Sequence, residues 1–300
     1  MQLYSPVALE KGVRAEFLTA LNEAGPSLVD KFATVVSSSA NNEKYGWLGE
    51  SPQMTELLDE LTISSLSEAS YTLTNSTYAS GISVKRTDLA DEQFGGIAMR
   101  IRQLAVKAAR HPNKLLIDAL INGTTNTGYD GAAFFSNTHP ARGSSGAQDN
   151  LLAGAGTSTA NVQSDLQEAI QALMSFKDEA GEPFSEEITN VGIIAPPALM
   201  QPIREATQAS IISNTSNVGY SGINFEVHFS GRLTDADDWY VMNLSNPLKP
   251  LIFQDREPLE LVALEGESDA GFMREVYTYK ARARYAVGYS HFALACKVVN

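Results

Sequence analysis

The segment Tyr129-Asp130-Gly131-Ala132-Ala133-Phe134-Phe135-Ser136-Asn137-Thr138-His139-Pro140 gathers an acid, a hydroxyl and an imidazole in one short stretch. These are the residue types of acyl-transfer chemistry: with Asp130 as third member, a catalytic reading takes His139 as base and Ser136 as nucleophile. Their order and spacing match no nucleophile elbow and no metal motif. Asp130-Gly131 is a turn signature, and the two phenylalanines suit a loop pinned into a core. Such triads are defined by geometry rather than nearness in sequence, so the structural reading is preferred.

The remaining reactive types are dispersed. His111, His139, His228 and His291 show no i, i+4 pair of the helical zinc kind, and a single cysteine cannot supply a zinc-binding pair. Asp235-Ala236-Asp237-Asp238 resembles a fragment of a calcium loop but lacks its glycine and closing glutamate, and reads as a solvated turn. Gly95-Gly96 has neither the preceding strand nor the Gly-Lys-Ser/Thr of a phosphate cradle. Cys296 lies in an apolar run with no activating group nearby and reads as a small buried hydrophobe. Lys280, Arg282 and Arg284 form a basic row, best read as pairing with neighbouring acids. The expectation is no metal, no cofactor and no enzyme; the distinctive features concern shape and contact.

Composition narrows the classes further. A 300-residue chain with 43% hydrophobic and 19% charged residues is an ordinary globular protein able to bury a sizeable core. Its apolar runs, such as Val191-Gly192-Ile193-Ile194-Ala195, fall far short of a bilayer span. The start, Met1-Gln2-Leu3-Tyr4, shows no secretory signal, and a lone cysteine fits a reducing compartment. With 22 basic against 35 acidic residues, and a formal charge of −13, a phosphate-gripping DNA-binding module is disfavoured. A container wall that leaves its contents free remains compatible.

The elements follow from periodicity. Residues 1–44 read as an N-terminal arm, with a helix from Ser5 to Asn22 carrying Val7, Leu9, Val13, Phe17 and Leu21 on one stripe. Gly25-Pro26 breaks it, and the polar run Ser37 to Asn42 reads as a linker. Within 45–87, Tyr71–Tyr78 and Gly81–Arg86 look like strands, with too few apolar residues for a core of their own. The segment therefore reads as a protruding loop that needs a partner. Asp88 can cap a helix with Asp91 and Glu92 in its first turn and Phe94, Ile97, Ile101, Leu104 and Ala108 along one face. His111-Pro112 kinks or restarts it, and Asn122-Gly123 stops it, giving a spine of about 50 Å if nearly continuous.

Beyond the loop at 124–160, a helix is expected over Asn161–Lys177 and a buried strand over Ile188–Ala195, with a helix starting at Pro196-Pro197. Strands follow at Asn224–Ser230, Trp239–Leu244 and Pro250–Gln254, a mixed α/β unit. The C-terminal segment reads as one long strand, with Tyr277, Tyr279, Ala281, Ala283, Tyr285, Val287 and Tyr289 on one face and Thr278, Lys280, Arg282 and Arg284 on the other. Its length predicts a break near Gly288.

Taken in order, these pieces resemble the major head subunits of Mu-like phages and prophages, which belong to the HK97-type capsid proteins. The matches are Trp47-x-Gly49-Glu50, Asn75-x-x-Tyr78 leading to Ile82-x-Val84-x-Arg86, and the helix with its Ala109-Arg110-His111-Pro112 step. Tyr129-Asp130-Gly131, then Phe134-Phe135 and Asn137-x-His139, complete them. The resemblance spans nearly the whole chain; no one motif is diagnostic, but their order and spacing are specific together.

The resemblance implies an α+β fold of the HK97 type: arm 1–44, extended loop 45–87, spine helix 88–122, and an axial domain over 156–254. A peripheral domain would be made of 88–155 and 255–300, closed by the Glu275–Val299 strand beside the helix. It further implies pentamers and hexamers building an icosahedral shell around double-stranded DNA bound without sequence specificity, with scaffolding, portal and decoration proteins as partners and no membrane. The location implied is the virion, reached through the host cytoplasm during assembly. Trp47, Glu50, Tyr71, Tyr78 and Arg86 are the candidate subunit contacts, Trp47 and Tyr78 as aromatic anchors. The rival readings are an encapsulin-type compartment of the same fold and, in a different class, a soluble hydrolase using Asp130, Ser136 and His139.

Overall fold

The computed structural model describes residues 6–25, 27–46, 71–85, 87, 94–140, 147–178, 181–208, 211–212, 215–216, 222–264, 273 and 275–300. In chain order the arm forms α1 (Pro6–Asn22), a one-turn α2 (Val29–Phe32) and β1 (Ala33–Ser37). The loop region contributes β2 (Asn42–Tyr45), β3 (Tyr71–Thr74) and β4 (Ser76–Lys85). The long helix is α3 (Phe94–Ala109) followed by α4 (His111–Ile121). Next come β5 (Leu151–Ala153), α5 (Thr159–Ser175), β6 (Asn190–Ala195), α6 (Met200–Gln208), β7 (Ile211–Ile212) and β8 (Thr215–Ser216). The chain finishes with β9 (Asn224–Phe229), β10 (Trp239–Asn243), β11 (Leu251–Leu264), β12 (Val276–Tyr289) and β13 (Ala295–Val299).

The alternation read from Tyr277 onward forms the middle of the first sheet, ordered β1-β11-β12-β4. β12 runs antiparallel to both β11 and β4, and β1 lies parallel to β11. Tyr277, Tyr279, Ala281, Ala283 and Tyr285 are buried, whereas Lys280 is exposed and Arg282 and Arg284 are half-buried. The buried face carries α1 and α3: Val13, Phe17 and Ala20 of one helix and Ile97, Ile101, Leu104 and Ala105 of the other close on Val84, Tyr277, Tyr279 and Ala281. Beyond Tyr285 the alternation of faces continues, but both faces are covered. Ala286 is buried and Val287 half-buried, against the expected pattern, because Tyr71 and Leu73 lie over this end of the ribbon at Gly288. A Cβ there would sit 2.9 Å from the Tyr71 hydroxyl, so glycine is what lets the two strands meet.

The long helix is interrupted once. Arg110 sits at φ −85°, ψ −5°, and Pro112, which has no N–H, stands in the first turn of the restarted helix. Arg110 N–H still reaches Val106 O at 3.1 Å and Lys114 N–H reaches Arg110 O at 3.2 Å, so the break is a joint rather than an end. The expected first turn with Asp88, Asp91 and Glu92 lies outside the described residues.

The second sheet, ordered β5-β13-β10-β6-β9, explains why Val191 to Ala195 and Trp239 to Met242 are continuous apolar runs: every one of these residues is buried. α5, capped by Ser158 Oγ accepting the Asn161 N–H at 3.3 Å, lays Val162, Leu166, Ala169 and Leu173 into the same core. α2 docks here too. Phe32 is 1% exposed and fills the space left by Gly192, where a Cβ would lie 2.5 Å from its ring; burying such a side chain contributes about 1.5–3 kcal/mol.

Two expected boundaries move. The strand expected over Pro250–Gln254 continues to Leu264, because β12 pairs along its whole length, with register shifts between Asp255 and Glu260. The strand expected over Glu275–Val299 breaks within one residue of the predicted Gly288, and its second part changes sheet: β12 stops at Tyr289, a short 3-10 turn at Phe292–Leu294 crosses over, and β13 enters the second sheet between β10 and β5. The crossing is enforced by burial, since Ser290 to Leu294 are all buried and His291 Nδ1 accepts the Ala293 N–H at 3.1 Å to turn the chain. Among the described residues no helix is long and apolar enough to cross a membrane.

Candidate functional site

The Asp130, Ser136 and His139 group resolves into a cross-link instead of a triad. His139 Nδ1 lies 2.6 Å from Asp130 Oδ2, and both side chains are buried. Its other nitrogen, Nε2, lies 3.1 Å from Asn150 Oδ1, which also accepts the Ser136 N–H at 2.8 Å. Asn150 Nδ2 donates to Phe134 O, Phe292 O and Ala295 O, and the His139 ring stacks on Phe292 with centroids 3.9 Å apart. Ser136 Oγ instead accepts the Thr138 N–H at 3.1 Å and lies 3.0 Å from the Thr138 hydroxyl. A base whose two nitrogens are both occupied in the core, with the hydroxyl turned to another partner, is not arranged for nucleophilic catalysis. What the arrangement does is tie the 129–150 loop to the C-terminal crossover. Asn150, its hub, carries no sequence signal beyond being a polar residue flanking an apolar run.

The root of the 45–87 segment is the more informative region. β2 and β3 form a two-stranded ribbon of their own, and Tyr45 at its base donates from its hydroxyl to Gln254 Oε1 at 2.6 Å; burial pushes the Tyr45 phenol up to about 12. Tyr71 is half-buried at this root. Its hydroxyl accepts the Tyr289 N–H at 3.3 Å, and burial raises its phenol while that hydrogen bond pulls the other way. Tyr78 stacks on Tyr285 (4.9 Å) and lies tilted against His111 (4.6 Å), so both tyrosines expected at subunit contacts pack within this chain. Trp47, Glu50 and Arg86 lie outside the described residues.

The polar run read as a linker is a closed turn. Glu43 Oε1 accepts from Ser38 Oγ (2.9 Å), Ser39 N–H (2.9 Å) and Ala40 N–H (3.0 Å), and these bonds hold its carboxyl below the usual range. Asn75 Nδ2 donates to Ser38 Oγ and Ala40 O, and Arg256 Nη1 to Ser38 O. Glu43, Asn75 and Arg256 come from three separate stretches of chain, so no local pattern announced them. Of the basic row, Arg282 and Arg284 pair with acids as expected, and Lys280 has no acid partner among the described residues. Arg282 contacts Glu257 and lies 3.6 Å from Glu260, Arg284 lies 3.7 Å from Glu257, and Arg284 Nη2 donates to Asn41 Oδ1 at 2.6 Å.

The other sequence candidates are structural. Asp235, Asp237 and Asp238 approach one another, but Asp238 pairs with Lys297 at 2.6 Å and the Asp237 N–H points to Asp235 Oδ1, as in a self-bonded turn. The Cys296 thiol is fully buried and burial pushes it up, away from the thiolate form. His228 is half-buried, and burial with Lys31 nearby lowers it.

Arm, ribbon, jointed helix and two sheets in this order define a fold met among virus shells. The procapsid of bacteriophage JBD30 matches it with a TM-score of 0.60 and 22% identity, over 99% of this chain and 76% of that one. The sequence is 25% identical to the Mu-like prophage FluMu major head subunit of Haemophilus influenzae, over 96% of this chain and 71% of that protein. It is 26% identical to the major capsid protein of Escherichia phage Mu, over 97% and 72%. The class is therefore that of capsid shell subunits. The family is more specific: the profile described as Mu-like prophage major head subunit gpT matches residues 7–162 and 226–300, and this chain belongs to that family. It is a major capsid protein of the Mu-like kind, with a structural role in the virion capsid.

Proposed function

We propose that the chain assembles with itself into pentamers and hexamers that close as an icosahedral shell around double-stranded DNA, held without sequence-specific contacts. The observation that carries this is the β2–β3 ribbon: two short strands cannot stand alone in water, and this pair is fastened at its root by Tyr45, Glu43 and Tyr71. A fastened root gives the described strands of this segment a fixed seat on the subunit, as a contact with a neighbouring subunit requires. In this reading Trp47, Glu50 and Arg86 contact the neighbour, while Tyr71 and Tyr78 set the angle of the loop. The first sheet with α1, α3 and α4 would be the peripheral part and the second sheet the axial part, with Ala295–Val299 on the axial side. Heterologous contacts of this kind close into rings when the rotation permits. Assembly would take place in the host cytoplasm, with scaffolding, portal and decoration proteins joining the shell.

The test is expression of the full chain and of a Trp47→Ala/Glu50→Ala variant, followed by sizing and negative-stain imaging. Wild type is expected to give rings or shells and the variant folded subunits that assemble poorly. Shells of normal yield and stability from the variant would remove the loop from the contact.

A further inference from the structure

The first sheet has a second face: the β2–β3 ribbon covers its Ala286–Gly288 end, and among the described residues the stretch around Lys280 is open. Opposite the side covered by α1 and α3, the pairs Lys280–Gly81, Arg282–Ala79 and Arg284–Thr77 join β12 to β4, and Val262–Lys280 and Glu260–Arg282 join it to β11. Lys85, across from Val276, lies on the same face. Thr77, Ala79, Gly81, Ser83, Lys85 and Lys280 are exposed, and Val262 is 43% exposed although apolar. The face carries four cations, Lys85, Lys280, Arg282 and Arg284, against two carboxylates, Glu257 and Glu260, on a chain whose net charge is −13. Arg282 and Arg284 spend their charge on those carboxylates; among the described residues Lys85 and Lys280 have no acid partner.

We infer that this open face of β4–β12–β11 receives an acidic loop, Glu182 to Glu187, from a second copy of the chain; this rests on the shell-subunit reading and names one of its contacts. Charge complementarity selects the occupant. Glu182, Glu186 and Glu187 are exposed, form no ion pair among the described residues, and precede β6 in the second sheet, with no Lys or Arg between them. Face and loop are different patches of the chain, so repeating the contact head to tail gives a heterologous interface, the type that propagates around a ring. Lys85 and Lys280 meet the carboxylates at the rim, Val262 and the small residues of β4 allow close approach, and long-range attraction speeds the encounter.

The test uses the full chain in three forms: Lys85→Glu/Lys280→Glu, Glu182→Lys/Glu186→Lys/Glu187→Lys, and both sets combined. All positions are exposed, so circular dichroism and melting should match wild type; Lys85→Gln/Lys280→Gln serves as the milder variant if the reversal unfolds. Each single set is expected to cut assembled yield at low salt by about tenfold, and the combined chain to recover it. Wild-type yield from the Lys variants overturns the proposed face. Failure of the combined chain to recover, with both single sets impaired, overturns the pairing of face with loop. A wild-type chain that stays monomeric overturns the shell reading and this contact with it.

Discussion

Tyr285 Oη lies 2.7 Å from His111 Nδ1, and this contact fastens the joint of the long helix to the middle strand of the first sheet. Tyr78 on β4 completes it, stacked on the Tyr285 ring and tilted against that of His111. Helix joint, sheet and loop root are thereby one mechanical unit, and a change at any of the three side chains reaches the others.

The pH response of this unit has a definite sign. Burial holds His111 below the ordinary histidine value of 6.5, with Lys114 and Arg232 acting the same way and Asp118 against them. The unfolded chain therefore takes up the proton first as pH falls, so this contribution is present above the ordinary value and is lost as pH falls through the lower, folded one. Tyr285→Phe removes the hydroxyl partner and should cost about 1 kcal/mol near neutral pH in denaturant unfolding. A variant as stable as wild type would show that the contact does not fasten the joint.

Glu43 gives an independent acid-side effect. Its carboxyl is held below the usual 4.5 by the turn's donors, so the stabilisation is present above the unfolded value and disappears as pH falls through the folded one. Glu43→Gln should lower the melting temperature at neutral pH and flatten its fall on acidification. Parallel melting curves for variant and wild type from neutral to acid would rule out this turn as the source.

The two readings of the 129–150 loop separate cleanly by substitution. His139→Ala removes the imidazole partner of the buried Asp130 side chain and should cost about 1–3 kcal/mol in denaturant unfolding. Ser136→Ala, at a half-buried hydroxyl bonded only to Thr138, should stay within about 0.5 kcal/mol of wild type in the same unfolding assay. A hydrolase would show the opposite emphasis, with Ser136→Ala abolishing turnover of an ester substrate in a folded protein.

Periodicity and punctuation were enough to read α1, the helix from Phe94 with its step at His111-Pro112, α5, and the alternation of β12 up to Tyr285, because each depends on neighbours a few residues away. The same local logic made Asp130-Gly131 a turn and kept Ser136 and His139 apart as catalytic partners. What only the tertiary structure decided depends on residues far apart in the chain. Glu43, Asn75 and Arg256 meet at the loop root, Tyr71 lies over Gly288, Asn150 receives His139, and the crossover at Ser290 sends β13 into the second sheet. These contacts are fixed by which buried polar atoms find partners once the two sheets close, and a linear pattern of apolar and polar residues carries no record of that pairing.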